Sequence, residues 1–192
     1  MRLQTSLGLD IALRIVSIAL AAGRAEKMLP LTVVVLDISG KIIASQSEDG
    51  SGLMRFDIAR GKAWGALGMG MSSRLIRDRL ATRPSFQAAL ANVADGQFVP
   101  VPGGVLVLQA DGTVIGAVGV SGDSSEKDEY CAITGILGAN FSWQHVDGKK
   151  STAKCSQQNV DGNMLTLTLS CRPEGGEPRI SRASFKVGLD FR

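Results

Sequence analysis

A chain of 192 residues is long enough for one ordinary domain with an extension. Hydrophobic residues make up 44%, enough for a real core, while a net charge of +3 is too small an excess to argue for nucleic acid. No basic stripe with interleaved aromatics stands in the sequence, and no run of about 18 uncharged apolar residues predicts a membrane span.

Met1 to Ala25 mimics a signal peptide, with Arg2, an apolar middle and small residues after it. Asp10 and Arg14 interrupt the apolar run, however, and their spacing of four lets them pair on one helix face. Leu7, Ile11, Ile15 and Ile18 line the opposite face. The stretch therefore reads as an amphipathic helix from about Ser6, its N-cap, to Arg24, and the protein as cytoplasmic.

Leu31 to Leu36 is a β-branched, apolar run suited to a strand buried on both faces. Asp37 to Lys41 supplies a turn, and Ile42 to Ser45 returns antiparallel. A helix follows from about Phe56 to Met69, with Ile58, Ala59, Lys62, Ala63 and Ala66 at packing positions. Gly61, Gly65 and Gly68 in that helix cost about 1 kcal/mol each against alanine, so another backbone or a ligand must approach closely. Lys62 either meets an anionic group there or snorkels to water.

Ser72 to Leu80 is a short helix, and Arg74, Arg77, Arg79 and Arg83 around Asp78 make a solvated charged face. Pro84 opens another helix, with Phe86, Ala89 and Leu90 facing inward. Pro100 and Pro102 hold the chain extended into Gly103. Val105 to Gln109 and Val114 to Val120 form a hairpin across Ala110-Asp111-Gly112. Glu126 to Leu137 is a helix with acids in its first turn. The order α-β-β-α-α-β-β-α, two hairpins without a βαβ unit, predicts an α+β fold. Its antiparallel sheet of about four to five strands is covered by helices.

Residues 1–138 form that domain; residues 139–192 are a C-terminal extension with little apolar mass, either poorly ordered or a small appended hairpin. Met164 to Ser170 and Phe185 to Phe191 are its candidate strands, separated by a glycine-rich break from Pro173 to Pro178. Three cysteines, Cys131, Cys155 and Cys171, show no CxxC spacing. That argues for a reduced compartment and against a zinc site, although Cys155 and Cys171 remain able to pair.

The chemistry-bearing stretch is Gly103 to Cys131. Its GVSGDSS loop lacks the GxxxxGK[ST] and GxGxxG patterns, and Asp123 stands where a nucleophile elbow needs its second glycine. A glycine loop feeding a helix N-terminus can bind an anion or can be a simple turn capped by Ser124 or Ser125. Asp123, Glu126, Asp128 and Glu129 offer a base or a hard-cation cluster, or simply a helix start facing water; no metal is expected. The single histidine, His145, lies outside the domain, so a Ser-His-Asp triad is not expected.

The pieces VLDISGKIIA, DIARGKAWGALGMG, FVPVPGGVLVL and GTVIGAVGVSGDSSEKDEYCAITGI, in that order, resemble the GlcG/HbpS-like family, which includes the C-terminal domain of PduO-type proteins. The resemblance covers about Leu7 to Leu137 and implies an α/β sandwich that forms homo-oligomers. Members are described as haem-binding or haem-degrading, as associated with small molecules or corrinoids, or as companions of glycolate-utilisation genes. The family glycines map to Gly103, Gly104, Gly116, Gly119 and Gly122, its helix lysine to Lys62 and its helix-start acid to Asp128. No histidine precedes His145, so a haem here would lack a histidine ligand within the domain. The tail departs from the family's usual ending, as a genuine extension or the product of an altered reading frame.

The resulting expectation is an oligomeric binder of a small anionic molecule, haem or another tetrapyrrole included. Its site would comprise Lys62, Pro102, Gly103, Gly104, Gly119, Ser121, Gly122 and Asp123. The alternatives are an enzyme using Asp123, Asp128 and Lys62 for acid-base work on a small metabolite, and a purely structural assembly subunit.

Overall fold

The computed structural model describes residues 5–144, 150–160, 164–173 and 186–188. The first helix is α1 (Leu9–Ala25), followed by the hairpin β1 (Thr32–Asp37) and β2 (Ile42–Ser47). Three helices come next: α2 (Arg55–Met69), α3 (Ser73–Leu80) and α4 (Pro84–Val93). The second hairpin, β3 (Gly104–Leu108) and β4 (Val114–Ser121), leads into α5 (Ser125–Gly138). The two hairpins join through β1 and β4, giving an antiparallel four-stranded sheet in the order β2-β1-β4-β3. The fold is the α+β sheet-and-helix architecture that the two hairpins imply, and the helix expected to open at Pro84 is present as α4.

The period-two alternation of β1 sorts the core into two layers. Val33 and Val35 point into a large cluster with α1 and α5, including Ile15, Ala19, Cys131 and Ile136. Val34 and Leu36 point the other way, onto Ala59, Ala63 and Ala66 of α2. The segment that mimics a signal peptide is thus a core helix, with Leu7, Ile15 and Ile18 buried. Burial pushes the Cys131 thiol up to about 12, so it behaves as a small apolar side chain.

Several local expectations change. Ser6 does not cap α1, whose N-cap is Gly8; its hydroxyl instead donates to the Ile115 carbonyl at 2.8 Å and accepts from the Ile38 N–H at 3.1 Å. No ion pair joins Asp10 to Arg14, and the Arg14 Nε is buried without a hydrogen-bond partner. Helix α4 forms, but none of its residues is buried. Phe86 is 42% exposed, with the Arg83 guanidinium 4.7 Å over its ring, because α4 lies over the end of α2 and not on the sheet.

Beyond α5 the described strands are β5 (Trp143–Gln144), β6 (Lys150–Val160), β7 (Met164–Pro173) and β8 (Lys186–Gly188), in an antiparallel sheet of that order. Backbone register sets Cys155 opposite Leu169 and Cys171 opposite Ala153, so the two cysteines are diagonal neighbours. His145 and most of the Pro173 to Pro178 break lie outside the described residues.

What lets α2 lie so close to the sheet is the absence of side chains beneath it. Gly104 and Gly119 face each other across β3 and β4. A Cβ on Gly104 would stand 2.2 Å from the Lys62 carbonyl oxygen, and one on Gly119 would stand 1.9 Å from that of Ala59. Both neighbours are helix backbone and cannot move aside without lifting α2. Gly104→Ala and Gly119→Ala are each expected to cost about 2–4 kcal/mol. Gly68→Ala, whose Cβ would meet nothing nearer than 3.9 Å, should stabilise by about 0.5–1 kcal/mol through helix propensity. Urea unfolding of the three variants checks the contrast.

Candidate functional site

At the end of that glycine floor the chain buries a charge pair. Lys62 of α2 and Asp128 of α5 come from opposite faces of the sheet and meet with Nζ 2.7 Å from Oδ2. Both side chains are 2% exposed. The ammonium also donates to the Val120 carbonyl at 2.9 Å, and Asp128 Oδ1 accepts the Asp123 N–H at 3.1 Å. Burial pushes the Lys62 ammonium down and the Asp128 carboxyl up; each partner's charge opposes the shift of the other.

Gly103 closes the pair from the side, with φ at +121°, where an L side chain is strained. A Cβ there would stand 2.9 Å from Lys62 Nζ, 2.9 Å from the Val120 carbonyl oxygen and 3.1 Å from Asp128 Cβ. A substrate atom has no more room on that side than a methyl group. Pro102 is buried next to this turn. Gly122 abuts the Pro30 carbonyl, 2.4 Å from where its Cβ would be, and Ser121 is fully buried.

The predicted site residues are therefore brought together. Lys62, Gly103, Gly104 and Gly119 form the closed floor, Ser121 and Gly122 lead out of it, and Asp123 reaches the surface. Lys62 does not snorkel: its head group ends on Asp128 and Val120 inside the protein. The acidic helix start does not simply face water. Asp128 takes Lys62, and Glu129 accepts from Arg74 Nε at 2.7 Å, which turns Arg74 away from the solvated arginine face expected for α3. No group of three or more His, Cys, Asp or Glu among the described residues could hold a metal ion.

Composition and motif matching missed the rim. Arg55, the first residue of α2, places Nη1 3.4 Å from Ser121 Oγ. Leu29 donates its N–H to Asp123 Oδ2 at 3.0 Å. The loops before β1, before α2 and after β4 thus converge, and they carry Leu29, Leu53 and Met54, which are 61%, 96% and 68% exposed. An arginine directly after two apolar residues at a helix start is the one sequence signal that marks this rim.

The family described as "Haem degrading protein HbpS-like" matches residues 7–137. The chain belongs to this family. A 15.0 kDa protein from the dhaT-dhaS intergenic region of Citrobacter freundii is 30% identical over 118 residues, covering 62% of this chain and 82% of that protein. The crystal structure of the PduOC:haem complex superposes with a TM-score of 0.64 at 25% identity, covering 70% of this chain and 96% of that one. Protein ORFY of Klebsiella pneumoniae gives a TM-score of 0.63 at 25% identity, over 72% and 93% of the two chains.

Breaking the pair from one side strands a charge. Lys62→Met is expected to cost about 3–5 kcal/mol, and the double variant Lys62→Met/Asp128→Leu less than the sum of the two single changes. Denaturant midpoints of the four proteins test this cycle. Asp123 gives a separate pH signature. Its carboxylate accepts the N–H groups of Leu29 and Ser124, and these donors with Lys127 hold its carboxyl below the ordinary range. A depressed folded-state value stabilises the protein above about pH 4 and is lost as pH falls below it. Asp123→Asn should therefore flatten the fall in melting temperature between about pH 4 and pH 2, and an unchanged profile would remove Asp123 from that role.

Proposed function

We propose that this chain binds a flat, anionic small molecule, haem or another tetrapyrrole, on the rim formed by Leu29, Leu53, Met54, Arg55 and the Ser121 to Asp123 loop. The observation that carries the reading is a cation set among large, exposed apolar side chains where three loops meet. Membership of a haem-degrading-like family and likeness to a protein crystallised with haem support the ligand class.

The closed floor does not fit a ligand, because its glycines already touch backbone and Lys62 already has its partners. The rim fits better. Arg55 would meet a carboxylate of the ligand, Leu29 and Leu53 would cover its ring edge, and the adjacent, exposed Met54 would offer a soft thioether donor. An iron porphyrin would supply the redox chemistry when bound. Lys62, Gly103, Gly104 and Gly119 would then act as positioning residues that hold the Ser121 to Asp123 loop in place. Acid-base catalysis by Asp123, Asp128 and Lys62 fits less well, since of the three only Asp123 is not buried. Self-association belongs to the same proposal, and Leu9 and Leu13, one turn apart and exposed on α1, offer apolar surface for it.

Haemin titration followed in the Soret region tests the reading. We expect a saturable shift at micromolar haemin, weakened at least five-fold by Arg55→Ala and altered in band position by Met54→Ala, with both variants melting near the parent. A flat titration, or one untouched by both changes, sinks the haem rim.

A further inference from the structure

A second, separate cavity lies at the far end of α2, roofed by α4. It is a half-open pocket of about 160 Å³ between Trp64 and Met69 on one side, Leu90 and Val93 on the other, and Phe98 at the base. Every side chain lining it is apolar, and the remaining positions are Ala94, Gly65 and Gly68. The two glycines shape it. Gly65 lets the Phe98 ring lie on α2, its missing Cβ only 3.1 Å from the ring, and Gly68 leaves the outer edge of Trp64 uncovered. Trp64 is backed on its other side by the turn at Gly40, whose Cβ position is 3.4 Å from the indole nitrogen. The aromatic walls are thus held from behind, whereas the roof is a helix with no buried residue and with Val93 83% exposed at its end.

The pocket opens to solvent beside Val93 and its lining is almost wholly apolar, so water inside it finds few hydrogen-bond partners. A ring of matching thickness displaces that poorly bonded water and gives the walls dispersion contacts in its place. We propose that this cavity is a binding site for a neutral aromatic molecule of one or two fused rings, stacked against Trp64 and Phe98. It is distinct from the rim, sharing none of its residues, and it rejects the anions that Arg55 attracts, because no charged group lines it.

Bromobenzene is the probe, since its heavy atom quenches indole emission on contact. Saturable quenching is expected for the full chain, with 4-bromobenzoate at least ten-fold weaker. Gly68→Leu fills the mouth with a side chain that α2 favours and should abolish the quenching at unchanged helicity. In parallel, methyl labelling of the methionines should show the Met69 resonance moving on bromobenzene addition while that of Met54, at the other end of α2, stays in place. Quenching that never saturates, that survives Gly68→Leu, or that accompanies a shift of Met54 without one of Met69 overturns the site. If Gly68→Leu does not fold, the methyl shifts alone decide.

Discussion

Two layers of helix are tied through the sheet by one buried ion pair. Lys62 comes from the helix on one face and Asp128 from the helix on the other. Removing an ammonium and a carboxylate from water costs several kcal/mol per ion, which mutual attraction alone does not reliably return. The pair is tolerable here because remaining donor and acceptor sites are also engaged: the ammonium reaches the Val120 carbonyl and the carboxylate receives the Asp123 N–H. The same bonds hold the end of β4 and the start of α5, so the loop between them inherits its shape from the pair.

That geometry in turn demands glycine. An ammonium on α2 can reach across only if the helix backbone rests on the strands, and Gly104 and Gly119 provide the bare surface for it. Gly103 then has to turn past the charged atoms with no side chain of its own. The glycines of this stretch are therefore a packing device, a bare surface on which α2 rests.

The hairpins were legible because their signals are local. A β-branched apolar run and an Asp-Gly turn need no knowledge of the rest of the chain. The small residues of α2 were legible too, as a helix on which something must sit closely. That Lys62 could meet an anionic group was legible; which one was not, since its partner lies 66 residues away and reads locally as an ordinary acid in a first helical turn. Ser6 looked like a cap because serine before an apolar helix usually is one, whereas here a strand carbonyl and a turn N–H compete for its hydroxyl and win. Phe86 looked internal because helical periodicity says which residues share a face, not whether that face meets a core.

The buried pair also bears on how the protein reaches this state. Its members are separated by 66 residues, so closing the contact before the intervening chain is ordered would carry the entropic cost of a long loop. Either charge alone, sealed inside a half-formed layer, would be an uncompensated burial. Burial of the pair is therefore expected to follow docking of the two helices on the sheet. An ion pair of this kind contributes little to the speed of folding and a good deal to how slowly the folded protein opens.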